Sequence, residues 1–236
     1  MNEAIEEFRY EVKFVCPEPF RNKFDLWLQY ARERFFRSYD NRIVNNIYFD
    51  SLDMRDFYEN VAGISYRAKT RLRWYGDTMA PAAMTLEHKI KRGRISRKQA
   101  LRLEGIDLGA IAWDELSDHL CARAEYSSCA IASYFKNPVL RNRYRRRYYE
   151  TRGHRLRMTV DSDLAFYDAA GTAGPAGSTV VRTHSSVVEF KAPVARAGEL
   201  QRLLEDIPLR MTRFSKYVMG VDQTRVRGDT TFAEPL

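Results

Sequence analysis

Residues 65–76, SYRAKTRLRWYG, place Arg67, Lys69, Arg71 and Arg73 at alternate positions, with Ala68, Thr70 and Leu72 between them and Tyr66 and Trp74 at either end. Successive side chains of a β-strand point to opposite faces, so this spacing puts four cations on one face and a mostly apolar set on the other. For one strand alone, a solvated outer face over a core is a sufficient account, because antiparallel sheets often meet water on one side. The pattern recurs in five further segments. RYEVKF sets Arg9, Glu11 and Lys13 against Tyr10, Val12 and Phe14, and TLEHKIK sets Glu87, Lys89 and Lys91 against Leu86, His88 and Ile90. VVEFKAP sets Glu189 and Lys191 against Val188 and Phe190, while RYRRRYYE puts Tyr144, Arg146 and Tyr148 on one face. HRLRMTVDSD lines up Arg155, Arg157, Thr159 and Asp161 opposite Leu156, Met158 and Val160.

If these strands are neighbours, their cations lie across from one another, and each directly opposed like pair costs a few tenths to ~1 kcal/mol. Glutamates on the same faces offset part of that repulsion, but the basic residues outnumber them. The remainder suits a polyanion, or a phosphorylated ligand held with a divalent metal. A flat sheet for single-stranded nucleic acid would interleave exposed aromatics with the cations as stacking platforms. Here Phe14, Tyr66, Trp74 and Phe190 fall on the other face, so no specific nucleic acid is expected. Closing the sheet into a barrel turns the charged faces inward, since interior and exterior positions alternate along every barrel strand. Guanidinium forks and ammonium groups then grip successive phosphates, and carboxylates hold a hard cation such as Mg²⁺ or Mn²⁺. This is the apparatus of phosphoryl transfer, in which positioning and charge neutralisation supply most of the catalysis, and no Ser, Cys or His nucleophile is required.

The elements that must carry these residues follow from periodicity. Strands are expected at 8–14, 41–51, 64–76, 84–91, 94–104, 139–150, 155–167 and 180–193, and helices at 17–36, 53–61, 114–136, 195–207 and 215–226. Asn137-Pro138 stops the third helix, 168–179 reads as a flexible loop, and 228–236 reads as a loose tail after a single domain spanning 1–227. Consecutive hairpin-compatible strands with helices interposed argue for an α+β fold, expected as a closed antiparallel β-barrel with a charged interior and helices packed outside.

Bulk properties agree. The chain has 236 residues, 44% hydrophobic, with 39 Lys+Arg against 31 Asp+Glu, a balance that favours an anionic partner. Cys16, Cys121 and Cys129 form no metal or disulfide pattern, and the four histidines, His88, His119, His154 and His184, show no metal spacing. A cytoplasmic protein without membrane spans or a secretory signal is expected. Attachment to a membrane surface or a membrane-protein partner stays open.

In this order, RYEVKF, RAKTRLRWYG, LEHKIKRG, YRRRYY, RLRMTVDSDL, VVEFKAP and RFSKYVMG resemble the catalytic domain of the vacuolar transporter chaperone complex and its stand-alone bacterial relatives. These are polyphosphate polymerase domains of the triphosphate tunnel metalloenzyme superfamily, and the likeness runs from about residue 8 to 222. It implies transfer of the terminal phosphate of ATP to a growing inorganic polyphosphate chain, with Mn²⁺ or Mg²⁺. By position, it implies phosphate-gripping roles for Lys13, Arg71, Arg73, Lys89, Lys91, Tyr144, Arg146 and Arg157. It also implies a metal-binding role for Glu189, with Lys191 beside it, and a terminal-helix contact with phosphate through Ser215 and Lys216. Arg67, Lys69 and Lys98 complete the expected phosphate contacts, and Glu11 and Glu87 join Glu189 as expected metal ligands. Where the wider superfamily often has two glutamates in the form ExExK, Arg9 here precedes Glu11 and Lys13, which favours the polymerase branch.

Other roles compete at single positions. Glu11, Glu87 and Glu189 also serve as counter-charges for neighbouring Lys and Arg, Asp161 pairs with Arg157 or caps its strand, and Ser215 is placed to cap a helix N-terminus, where phosphate is also favoured. Two alternatives to the polymerase are a metal-dependent triphosphatase of the same fold, acting on tripolyphosphate, a nucleoside triphosphate or thiamine triphosphate, and a non-catalytic binder of polyphosphate or nucleic acid.

Overall fold

The computed structural model describes residues 9–92, 95–123, 137–169 and 180–226. Cys129, the second half of the expected 114–136 helix, the loop over 170–179 and the tail 228–236 lie outside the described residues. In chain order the elements are β1 (Arg9–Cys16), α1 (Arg21–Tyr30), β2 (Phe35–Asp50), α2 (Arg55–Val61), β3 (Tyr66–Tyr75), β4 (Ala83–Arg92) and β5 (Ile95–Glu104). They continue with α3 (Leu116–Arg123), β6 (Asn137–Thr151), β7 (Arg157–Asp168), β8 (Val180–Thr183), β9 (Ser186–Pro193), α4 (Ala197–Leu204) and α5 (Lys216–Val221). No helix among the described residues is long and apolar enough to cross a membrane.

The strands pair in the order β1-β9-β7-β6-β2-β3-β4-β5, with β8 beside β7, and the registers of β1/β9, β3/β4, β4/β5 and β7/β9 are antiparallel. The class is therefore α+β with an antiparallel sheet. The expected closure is corrected: β1 and β5 end the paired order, and among the described residues no hydrogen-bonded ladder joins them. Alternation along a strand dictates which face is polar, whereas closure depends on strand tilt and stagger, which periodicity does not encode.

Two boundaries also differ from expectation. The helix expected to reach residue 36 ends at Tyr30, and β2 begins at Phe35. Phe35 fits helical spacing, yet its ring packs 6.1 Å from that of Phe190, so core packing overrides local periodicity there. The strand expected over 180–193 is two, β8 and β9, separated at His184 and Ser185.

The chain forms two compact units. The first comprises Met1–Val44, Arg143–Leu164 and Arg182–Phe214. Its core joins Val12 and Phe14 of β1, Met158 and Val160 of β7 and Val188 and Phe190 of β9 to Phe24 of α1 and Leu200 and Leu203 of α4. Phe14 and Trp27 meet Phe190 edge to face at 5.9 and 6.1 Å. The apolar parity thus faces helices, as expected of the side opposite the charges.

The second unit comprises Asn45–Asn142, Ala165–Val181 and Ser215–Leu236. Leu72 and Trp74 of β3, Leu86 of β4 and Leu103 of β5 pack with Leu116 and Leu120 of α3. Within this unit Gly220 lets α5 approach the sheet closely: a Cβ there would lie 2.5 Å from Leu140 and 2.6 Å from Phe166.

Candidate functional site

In the first unit, β1, β9 and β7 bring alternate residues into one polar array. The register places Lys13 opposite Glu189 and Glu11 opposite Lys191, and on the far side of β9 it places Thr159 opposite Glu189 and Arg157 opposite Lys191. Lys191 Nζ lies 2.6 Å from Glu189 and 3.9 Å from Glu11, while Lys13 Nζ lies 2.6 Å from Glu11 and 3.6 Å from Glu189. Two ammonium groups therefore share two carboxylates. Burial disfavours the Glu189 carboxylate, but Lys191, then Lys13 and Arg146, override it and hold its pKa well below the usual range. Glu189 stays ionised at neutral pH.

Arg146 on β6 reaches the same unit's Asp161 on β7 through a fork, Nε to Oδ1 at 2.6 Å and Nη2 to Oδ2 at 2.8 Å. Asp161 is fully buried, and Arg146 keeps 15% of its side-chain exposure. Asp161 is thus the partner of Arg146 rather than of Arg157, which is exposed. Tyr144 is buried, with its ring 5.3 Å from the Arg146 guanidinium. Thr159, outside the expected site set, carries a buried Oγ1 with no hydrogen-bond partner among the described residues and sits directly opposite Glu189 in the register.

In the second unit the four cations of β3 share the face that carries Glu87, Lys89 and Lys91 of β4 and Lys98 of β5. The ladder sets Lys69, Lys89 and Lys98 directly across from one another, and Arg67 opposite Lys91. Arg71 donates to Glu87 from Nε at 2.7 Å and Nη2 at 2.5 Å, and Lys98 Nζ stands 3.4 Å from the same carboxylate. Burial pushes Glu87 up, but Arg71, followed by Arg73 and Lys98, lowers it to about 2. Arg73 donates to Asn46 at 2.8 Å, and Asn46 donates to Asn142 at 2.7 Å. Two asparagines inside strand-like runs were the available signal for this network, since Asn is depleted in strands.

Arg67 is directed to the carbonyl of Ile64 at 2.7 Å. Lys69 Nζ donates to Ser215 Oγ at 2.9 Å, and the same oxygen caps α5 by accepting from the Val218 amide at 3.3 Å. Lys216, half-buried, opens α5. Tyr217 then donates to the buried carboxylate of Asp50, which also accepts the amides of Asp56 and Phe57 at 2.9 Å each. Neither Asp50 nor Tyr217 was among the expected site residues.

Of the three expected metal ligands, Glu11 and Glu189 belong to the first unit and Glu87 to the second. Among the described residues no three His, Cys, Asp or Glu side chains gather into a metal cage. Glu11 and Glu189 nevertheless suit a hard divalent cation that draws its other ligands from phosphate oxygens and water, because one or two carboxylates plus phosphate is the usual donor set for such an ion.

Residues 8–225 match the model of the VTC domain, and the chain belongs to that family. Among solved structures it is similar to a Hippeastrum protein described as a candidate adenylyl cyclase with a dominant triphosphatase activity, at 19% identity and a TM-score of 0.49, over 89% of this chain and 93% of that one. It is also similar to a candidate adenylate cyclase from Vibrio parahaemolyticus, at 12% identity and a TM-score of 0.49, over 89% of this chain and 96% of that one. No curated protein matches the chain.

Proposed function

We propose that the protein is a polyphosphate polymerase that transfers the terminal phosphate of ATP to a growing inorganic polyphosphate chain. The observation that carries the reading is the cross-strand row Lys69, Lys89 and Lys98, with Arg67 opposite Lys91 in the next row. Directly opposed like charges destabilise a sheet, and a chain of phosphates offsets that repulsion along the whole row. Membership of the VTC domain family supports the same substrate class.

Arg71, Arg73, Lys89, Lys91 and Lys98 bind phosphate oxygens in the second unit, while Lys13, Arg146, Arg157 and Lys191 do so in the first. Arg67, Lys69, Ser215 and Lys216 add further phosphate contacts in the second unit, and Tyr144 supports the Arg146 guanidinium in the first. Ion pairing to Glu87, Asp161 and Glu189 holds Arg71, Arg146 and the two lysines in orientation before substrate arrives, so little reorganisation is needed at reaction. Glu189 and Glu11 would hold Mn²⁺ or Mg²⁺, which when bound neutralises charge on phosphate oxygens. The nucleophile is a terminal oxygen of the acceptor chain: its bond to the γ-phosphorus forms, the bond to the β–γ bridging oxygen breaks, and ADP leaves with that oxygen.

Purified protein incubated with ATP, short polyphosphate and Mn²⁺ should yield long phosphate polymers and ADP on a gel and by phosphorus NMR. Release of orthophosphate alone would make the protein a triphosphatase. Binding of polyphosphate without any turnover would leave it a binder.

A further inference from the structure

Within the first unit, β2 borders an open hollow of about 480 Å³ lined by Arg37, Ser38, Tyr39, Asp40 and Arg42. Tyr39 is 53% exposed, and its ring meets the Tyr148 ring edge to face at 5.5 Å. The Arg42 guanidinium stands 5.2 Å from the centre of Tyr39 and 5.7 Å from that of Tyr148. On β6, Tyr148 lies two residues from Arg146, whose guanidinium is 6.0 Å from its ring. An aromatic and cationic path therefore runs from the Asp161-bound Arg146 through Tyr148 to the exposed ring of Tyr39. Neither the cores nor the phosphate-binding roles assigned above use Tyr39 or Arg42.

An exposed tyrosine ring beside a planar guanidinium stacks flat π-systems in a way that tolerates base identity. The geometry points to Tyr39 and Arg42, backed by Tyr148, as the seat for the nucleobase of a nucleoside triphosphate whose phosphates lie at Arg146. This deepens the phosphate-transfer reading and rests on it. The seat recognises ring area rather than a hydrogen-bonding edge, so purine nucleotides bind more tightly than pyrimidine nucleotides.

Calorimetric titration of the full chain with ATP and, separately, with tripolyphosphate tests it in wild type, Tyr39→Ala and Tyr39→Phe. None of these changes alters the charge, and the exposure of Tyr39 leaves folding intact, which circular dichroism checks. Tyr39→Ala should weaken ATP about tenfold, the order expected for one base–aromatic stack, while Tyr39→Phe stays within about twofold and tripolyphosphate affinity is constant throughout. An unchanged ATP affinity in Tyr39→Ala, with tripolyphosphate still bound, overturns the seat and spares the phosphate reading. An equal loss for both ligands overturns the seat as well. If wild type binds neither ligand, the phosphate reading fails and the seat falls with it.

Discussion

Replacing Asp161 with asparagine removes one charge from a buried ion pair of the first unit. Asp161 is fully buried and accepts two hydrogen bonds from Arg146 at 2.6 and 2.8 Å, and the Arg146 side chain is only 15% exposed. Breaking a buried pair by deleting one partner costs roughly 3–5 kcal/mol, because the surviving charge loses its hydrogen-bonded counter-ion and regains little water. With a urea slope of roughly 2 kcal/mol per molar, the unfolding midpoint of Asp161→Asn should fall by about 2 M. Replacing both partners, with Arg146→Met and Asp161→Leu together, should cost less than Asp161→Asn alone, since no charge is then left buried. If Arg146 also faces phosphate, tripolyphosphate restores the missing negative charge. The ligand at a hundred times its Kd should stabilise wild type by about 2.7 kcal/mol, and the variant by more. Urea titrations with and without tripolyphosphate read both effects. A loss in Asp161→Asn below about 1 kcal/mol would refute the buried-pair argument. Equal stabilisation of both proteins by tripolyphosphate would refute the placement of Arg146 at phosphate.

Glu189→Gln keeps the size of the side chain but removes the charge that Lys13 and Lys191 share, so metal-dependent turnover should vanish while metal-free polyphosphate binding, read by filter retention, persists or tightens. Lys89→Gln should act with opposite signs: relief of the like-charge row raises the apo protein's stability by a few tenths to ~1 kcal/mol, while polyphosphate affinity and its salt dependence both decrease. Glu87 is held at about 2, against 4.5 for an unperturbed glutamate, so its contribution is fully present above about pH 4.5 and disappears as pH falls through 2. That difference is on the order of 3 kcal/mol, and Glu87→Gln should flatten this part of the acid-unfolding curve. Gly220→Ala should destabilise by about 1–3 kcal/mol in thermal unfolding, because its methyl group meets Leu140 and Phe166 at van der Waals overlap.

Period-two alternation in the chain determined which residues share a face. Arg67, Lys69, Arg71 and Arg73 lie opposite buried Leu72 and Trp74, and Lys13 and Lys191 lie opposite buried Phe14 and Phe190, because a strand has only two sides. The VTC domain family was legible in the same segments, and residues 8–225 match its model. Register, partner choice and closure were decided only in three dimensions. Nothing local specifies that Lys69 faces Lys89 and Lys98, that Asp161 binds Arg146 rather than Arg157, or that Asn46 links Arg73 to Asn142. Those pairings join segments distant along the chain, and they are set by how the sheet staggers and how the cores beneath it fill. Phe35 shows the same limit at a boundary, where packing against Phe190 converted a helical repeat into the start of β2.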